Sequence, residues 1–107
     1  MVRRGNVRYA VQSPVAFVLD GTAGQGEIFN LSRGGCAIES DLGAASGDPV
    51  SLQITVPNQP KPISVELGKV RWATRREFGV EFLVVTGEAQ ERLDNFLIGM
   101  AKQGASR

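Results

Sequence analysis

The sequence contains no histidine and only one cysteine, Cys36, among its 107 residues. Without histidine there is no Ser-His-Asp or Cys-His pair for nucleophilic catalysis, and no donor set for a zinc cluster. A single cysteine cannot form an internal disulfide, which suits a reducing compartment. The 11 acidic residues are scattered without a pattern that indicates acid–base catalysis. We therefore expect a protein that is not an enzyme and that carries no cofactor.

Long apolar runs are also missing, since no stretch approaches the roughly 20 residues needed to span a bilayer. The first residues are too polar for the apolar segment of a secretory signal. Apolar residues make up 42% and charged residues 21%, and the net charge is +1, as in ordinary soluble domains. We expect a single domain over residues 1–107, cytoplasmic and without membrane insertion.

Six short segments have the composition or the alternation of β-strands and are separated by turn residues. The clearest is 50–56, in which apolar and polar residues alternate without a break. The predicted strands are 14–19, 27–31, 36–39, 50–56, 63–72 and 79–84. Within the fifth, Gly68 predicts a bulge or bend. Six short strands with glycine-rich turns favour a closed barrel or a sandwich.

The C-terminal segment changes to a helical period. Its apolar residues recur at i, i+3, i+4 and i+7, namely Leu93, Phe96, Leu97 and Met100. This pattern predicts a helix over 88–102, with Thr86 as its N-cap. We expect the apolar stripe to pack on the barrel, with a dimer contact as the alternative. The chain then divides into a basic arm (1–12), a barrel (13–85) and a helix (88–102).

The arm carries Arg3, Arg4 and Arg8 and no acidic residue. Arg4 and Arg8 have the spacing RxxxR, and the segment from Asn30 to Gly35 (Asn-Leu-Ser-Arg-Gly-Gly) fits (D/N)xSxxG. Taken singly, arginines near a terminus are usually solvated, and the second segment is also a good turn between strands. The two motifs in this order and at this spacing indicate a joint role.

These two motifs resemble those of PilZ domains that bind the bacterial second messenger cyclic di-GMP. The resemblance extends to Gly68–Trp72, which is similar to GxVxW, and to Gly79–Phe82, which is similar to GVxF. It covers essentially the whole chain. It implies an all-β fold, a six-stranded antiparallel β-barrel of PilZ type with a C-terminal α-helix. It also implies a receptor for this ligand. We expect the short polar arm to change conformation on ligand binding, and the protein to act as a receptor or adaptor that signals to an unidentified downstream protein.

The resemblance implies a set of ligand-binding residues: Arg3, Arg4, Arg8, Asn30, Ser32, Gly34 and Gly35. Arginine donates two parallel hydrogen bonds to phosphate or to guanine O6 and N7, which suits this dianionic, guanine-bearing ligand. Asn30 offers a carbonyl oxygen to guanine N–H groups, and Ser32 offers a hydroxyl. Gly34 and Gly35 would let the backbone approach the ligand, with positive φ.

An arginine at the position of Arg3 resembles family members that hold a stacked ligand pair. We therefore expect two cyclic di-GMP molecules per domain. Arg33 is expected to supplement the field around the phosphates. The second basic cluster, formed by Arg71, Arg75 and Arg76, is expected to be a solvated turn.

Two other functions stay open at this point. One is a PilZ-like protein-interaction module that does not bind nucleotide, although such modules usually lack RxxxR. The other is a small barrel that binds single-stranded nucleic acid, which needs a basic groove with exposed aromatics. The nearly neutral net charge argues against it, so we expect no DNA or RNA partner. We predict Trp72 in the core rather than as a stacking platform for a base, and Cys36 as a small buried apolar residue.

Overall fold

Six antiparallel strands close into a barrel, and one helix follows them. The computed structural model describes residues 7–105. Its elements are β1 (Tyr9–Leu19), β2 (Thr22–Leu31), β3 (Gly35–Glu39), β4 (Pro49–Ile54), β5 (Ile63–Ala73), β6 (Glu77–Val84) and α1 (Gly87–Ala105). The strand order is β1-β2-β3-β6-β5-β4, and β4 pairs with β1 to complete the closure. The predicted six-stranded barrel with a C-terminal helix is confirmed.

The first hairpin is longer than predicted at both ends. β1 begins at Tyr9, so residues 9–12, which the sequence placed in the arm, belong to the barrel. Residues 1–6 of the arm, which include Arg3 and Arg4, lie outside the described residues. β2 begins at Thr22 rather than at 27 because Asp20 and Gly21 have φ of 48° and 85°. Two consecutive residues with positive φ form the tightest hairpin turn, which pairs Leu19 directly with Thr22.

The barrel interior is filled by the inward side of the strand alternation. In β1 the side chains at Val15, Phe17 and Leu19 are buried while their neighbours are exposed. Phe17 meets Phe78 of β6 edge to face, with ring centroids 5.5 Å apart. The residues that fill the interior of the barrel are therefore the ones that the period-2 pattern predicts to point inward.

The helix covers one end of the core. Ala89, Leu93 and Leu97 are buried, so the predicted apolar stripe packs on the barrel. The Thr86 hydroxyl accepts a hydrogen bond from the Ala89 amide at 3.2 Å, which confirms the N-cap. Within residues 7–105 no helix combines the length and the apolar character required to cross a membrane.

Candidate ligand-binding site

A cleft of about 520 Å³ lies on the outer face of the barrel, across β2, β3, β6 and β5. We call it the four-strand cleft. Its lining combines predicted site residues with residues of the late strands: Arg8, Asn30, Ser32, Gly34, Cys36, Ala37, Arg71, Trp72, Gly79, Val80, Glu81 and Phe82. The cleft therefore brings together four of the five predicted site residues that the structure describes. The fifth, Gly35, pairs with Glu81 on β6.

A bulge in β2 turns Asn30 towards the cleft. Ile28 pairs with Ile38 and Asn30 pairs with the next residue of β3, Ala37, so Phe29 is an extra residue in β2. Ile28 is fully buried, and strict alternation would bury Asn30 as well. The extra residue reverses the faces, so Asn30 lines the outer cleft and Leu31 is buried instead.

A second bulge does the same in β5. Val70 pairs with Val80 and Trp72 pairs with Gly79, so Arg71 is the extra residue. Val70 is fully buried, but Trp72, two residues later, has 42% of its surface exposed. The prediction that Trp72 lies in the core is therefore wrong, because the bulge moves the indole to the outer face. The same bulge leaves Arg71 lining the cleft beside it, so Arg71 is not part of a solvated turn.

The residues that follow the two bulges, Asn30 and Trp72, end one row of paired residues across the sheet. Asn30 pairs with Ala37, Ala37 with Gly79, and Gly79 with Trp72. Three strand spacings, about 14 Å when followed along the curved sheet, lie between Asn30 and Trp72. The two residues between them, Ala37 and Gly79, are small, so their side chains do not fill the cleft. The indole lies against Gly79, where a Cβ would stand only 2.1 Å from the indole Nε1. Gly79 thus provides the flat seat for the indole.

Arg8 and Asn30 meet at the opposite end of the row. The Arg8 Nη1 donates to the Asn30 Oδ1 at 2.8 Å, across 22 residues of sequence. This contact orients the guanidinium with one of its five N–H donors and leaves the others for a ligand. It also uses the carbonyl oxygen that the sequence assigned to guanine. One residue from each predicted motif is therefore joined in the cleft.

Ser32 holds the turn between β2 and β3. Its side chain is buried, and its hydroxyl donates to the Gly35 carbonyl at 3.2 Å and accepts from the Gly34 amide at 3.3 Å. The Ser32 amide donates to the same carbonyl at 2.8 Å. The hydroxyl is thus engaged within the turn, so this contact supports the turn interpretation of the segment and gives Ser32 a positioning role.

The glycines of the second motif differ from the expectation in their backbone conformation. In the described part of the chain, positive φ occurs at Asp20, Gly21, Gly47 and Asn58, and neither Gly34 nor Gly35 is among them. Gly35 has another requirement, because a Cβ there would lie 2.4 Å from the Val80 carbonyl oxygen. The close approach of β6, rather than a left-handed turn, explains this glycine.

The charges at the cleft are mixed. Arg71 forms an ion pair with Glu81, through its Nε and its Nη2, both to the Glu81 Oε1. Arg33 does not face this pair; its Nε donates to the Asp94 Oδ1 of α1 at 2.9 Å. The described cleft therefore carries two guanidinium groups, at Arg8 and Arg71, against one carboxylate.

Cys36 is buried beneath the cleft, as predicted. Burial raises the pKa of its thiol far above the usual range, although the positive charge of Arg8 acts to lower it. The thiol is therefore uncharged and takes no part in anion binding. Cys36 lies on β3, the strand between Asn30 on β2 and Gly79 on β6, and its side chain contributes to packing of the core.

The sequence reasoning missed the two charged residues and the indole at the far end of the cleft: Arg71, Glu81 and Trp72. For Arg71 and Trp72 the reason is the bulge at Arg71, which strict period-2 alternation does not predict. A signal was present in the pair Trp72 and Gly79, since a glycine beside a large aromatic on the next strand is a known way to fill the glycine's empty face.

A comparison with known protein families gives a match over most of this chain. The family model for the PilZ domain matches residues 2–99. No curated protein sequence matches the chain at a significant level.

Solved structures share the fold at low sequence identity. The inhibitor of motility MotI/DgrA of Bacillus subtilis superposes with a TM-score of 0.78 at 22% identity, over 100% of this chain and 54% of that protein. The chain thus spans about half the length of that protein. The PilZ domain of CeSA from a cellulose-synthesizing bacterium has a TM-score of 0.71 at 16% identity, covering 90% and 99% of the two chains. The PilZ domain of Escherichia coli YcgR, solved with cyclic di-GMP, has a TM-score of 0.64 at 16% identity, covering 99% and 96%.

Proposed function

The chain belongs to the PilZ domain family, and we propose that it is a receptor for cyclic di-GMP, which it binds in the four-strand cleft. The observation that carries this proposal is the 2.8 Å contact between Arg8 and Asn30. Barrel folding does not require a polar contact between the segment before β1 and the end of β2. The contact places the Arg8 guanidinium, oriented by the neutral amide of Asn30, at one end of the four-strand cleft.

The chemistry of the cleft suits the ligand at both ends of the row. Arg8 presents N–H donors to a phosphodiester or to the O6 and N7 of guanine. Trp72 presents an exposed indole at the other end of the row, and a base stacked on an aromatic ring gains about 1–3 kcal/mol. The ligand has two guanines and two phosphodiesters, so one molecule offers a group for each end.

The residues outside the described range enter the proposal through their motif. Arg4 lies four residues before Arg8 in the RxxxR spacing, and we infer that it contacts the same ligand. Arg3 precedes it, and we infer that it favours a stacked pair of ligands. Ligand binding would then draw the arm onto the barrel, and the changed surface would be read by another protein. In this function the chain acts as a receptor or adaptor rather than as an enzyme.

Isothermal titration calorimetry with cyclic di-GMP tests the proposal. We expect Arg8→Ala and Arg4→Ala to lower the affinity at least tenfold while the variants remain folded by circular dichroism. Arg76→Ala is the matched control, because it also removes one arginine but its side chain pairs with Asp41 outside the cleft. It should change the affinity less than twofold.

The same titrations report the number of ligands bound. Two molecules per domain are expected for the wild type, and one for Arg3→Ala. A folded wild-type protein that releases no heat with cyclic di-GMP would sink the receptor function and favour a protein-interaction module instead.

A further inference from the structure

Glu81 and the exposed indole of Trp72 both line the four-strand cleft. Glu81 lies two residues after Gly79 on β6, and side chains two apart on a strand share a face. Its register partners are Gly35 on one side and Lys69 on the other. Because Trp72 rests on Gly79, the carboxylate belongs to a position about 7 Å along the strand from the seat of the indole.

Arg71 holds this carboxylate by one oxygen. Both of its contacts end on the Glu81 Oε1, and among the described residues no contact is recorded for Oε2. A carboxylate accepts hydrogen bonds at both oxygens and donates none. The pair is about half exposed, with side-chain exposures of 53% and 44%, so it adds little to folding stability. Its position in an otherwise cationic cleft requires another explanation.

We propose that Glu81 reads the Watson–Crick edge of a guanine stacked on Trp72, and that Arg71 positions the carboxylate for this contact. The inference rests on the proposed function and assigns the base selectivity of that site. Guanine presents two adjacent donors on this edge, N1–H and the 2-amino group. Adenine presents an acceptor at N1 and no amino group at C2, so the same carboxylate would repel it.

The spacing of the two positions on β6 agrees with this arrangement. The rise from residue 79 to residue 81, about 7 Å, exceeds a hydrogen bond of about 2.9 Å by roughly 4 Å. That remainder is close to the distance between the centre of a purine and its edge. The backbone spacing therefore suits a base that stacks on the indole and donates to the carboxylate.

The charge of Glu81 gives the proposal a distinctive signature. A carboxylate near two phosphodiesters lowers affinity for any cyclic dinucleotide, since like charges repel. Removing it should therefore weaken the binding of ligands that possess the 2-amino group more than the binding of ligands that lack it. A residue with a purely structural role would change both affinities by the same factor.

The experiment compares cyclic di-GMP with its inosine analogue, which keeps O6, N7 and N1–H but lacks the 2-amino groups. Fluorescence of Trp72, the single tryptophan in the sequence, reports binding at the cleft itself. Wild-type protein should prefer the guanine ligand about tenfold, within the range of a good base-edge contact. Glu81→Ala should reduce that preference to about onefold. Glu81→Gln, which keeps the shape and one acceptor oxygen, should fall between the two and decides the question if the alanine variant does not fold.

Glu66→Ala is the matched control, because Glu66 is an exposed acid on β5 that does not line the cleft. It removes the same charge and should keep the tenfold preference. If the wild type binds cyclic di-GMP but Glu81→Ala keeps the preference, the role of Glu81 is overturned and the receptor function stands. If the wild type binds neither ligand, both proposals fall. If Arg71→Ala keeps the full preference, Arg71 does not position the carboxylate.

Discussion

Substitution by alanine should change the stability of the protein at one of two glycines on neighbouring strands and leave it nearly unchanged at the other. In Gly79→Ala the new Cβ meets the indole Nε1 of Trp72, which must retreat from 2.1 Å to the 3.4 Å at which ordinary contact begins. The indole is the free end of a side chain with 42% of its surface exposed, so it can move without disturbing the strands. Alanine in a strand also removes the entropic penalty of glycine, about 0.5–1 kcal/mol. We therefore expect the free energy of unfolding to stay within about 1 kcal/mol of the wild type.

Ligand affinity should fall in Gly79→Ala even though stability does not. A displaced indole no longer offers its face to a base, and such stacking contributes about 1–3 kcal/mol. The expected loss of affinity for cyclic di-GMP is thus between about 5-fold and 150-fold. The emission spectrum of the single tryptophan should shift in the free protein as well, because its environment changes.

The comparison variant is Gly35→Ala. Its Cβ would lie 2.4 Å from the Val80 carbonyl oxygen, which is backbone and cannot retreat without separating β3 from β6. We expect a loss of about 2 kcal/mol, within the range of overpacked sites. Urea unfolding followed by far-UV circular dichroism measures both stabilities, and calorimetry measures the affinities. The reasoning is refuted if Gly79→Ala loses 2 kcal/mol or more, or if it binds cyclic di-GMP as tightly as the wild type.

Three further predictions concern groups outside the ligand contacts. Burial acts to raise the pKa of Asp94, but hydrogen bonds from Arg33 and Gln90 and the charge of Arg33 outweigh it and lower the pKa below its usual 3.8. The unfolded chain therefore takes up the proton first, so the stability that Asp94 provides is present above about pH 3.8 and is lost as the pH falls through the lower folded value. Urea unfolding should show Asp94→Asn less stable than the wild type by under about 1 kcal/mol at neutral pH and equal to it in acid; a difference that grows in acid would contradict this. The buried Cys36 thiol should resist iodoacetamide until the protein unfolds, and rapid modification of native protein, detected by mass spectrometry, would disprove its burial. Arg92 donates to Gln59 and to two backbone carbonyls of the loop before β5, so Arg92→Ala should lower the free energy of unfolding by about 1–2 kcal/mol without changing ligand affinity; an unchanged urea midpoint would contradict it.

Much of the fold follows from local pattern. The alternation in 50–56 and the helical stripe through Leu93 and Leu97 each predict an element that the structure contains. Such patterns are readable because burial selects side chains with the period of the element. The boundaries were less accurate. β1 begins at Tyr9 because its first residues gain partners on β2, and a partner strand is not visible in the residues themselves.

The candidate site was predictable in part. The residue types at Arg8 and Asn30 identified one end of the cleft before their 2.8 Å contact was known. The other end was not found, because Trp72 occupies an inward position in strict alternation. Arg33, expected near the phosphates, instead pairs with Asp94 on α1, and only the docking of the helix decides this contact.

The absence of histidine and the single cysteine limited the chemistry of this protein from the outset. Residue type and spacing in the sequence also predicted the strands, the helix and the motif pair, and the resemblance to PilZ domains implied the closed barrel. Only the tertiary structure decided which faces those strands present. One extra residue at Phe29 and one at Arg71 reverse the alternation, and these bulges turn Asn30 and Trp72 onto one outer surface. A bulge depends on how many residues oppose each other across two strands, which is a property of the pairing and not of either strand alone.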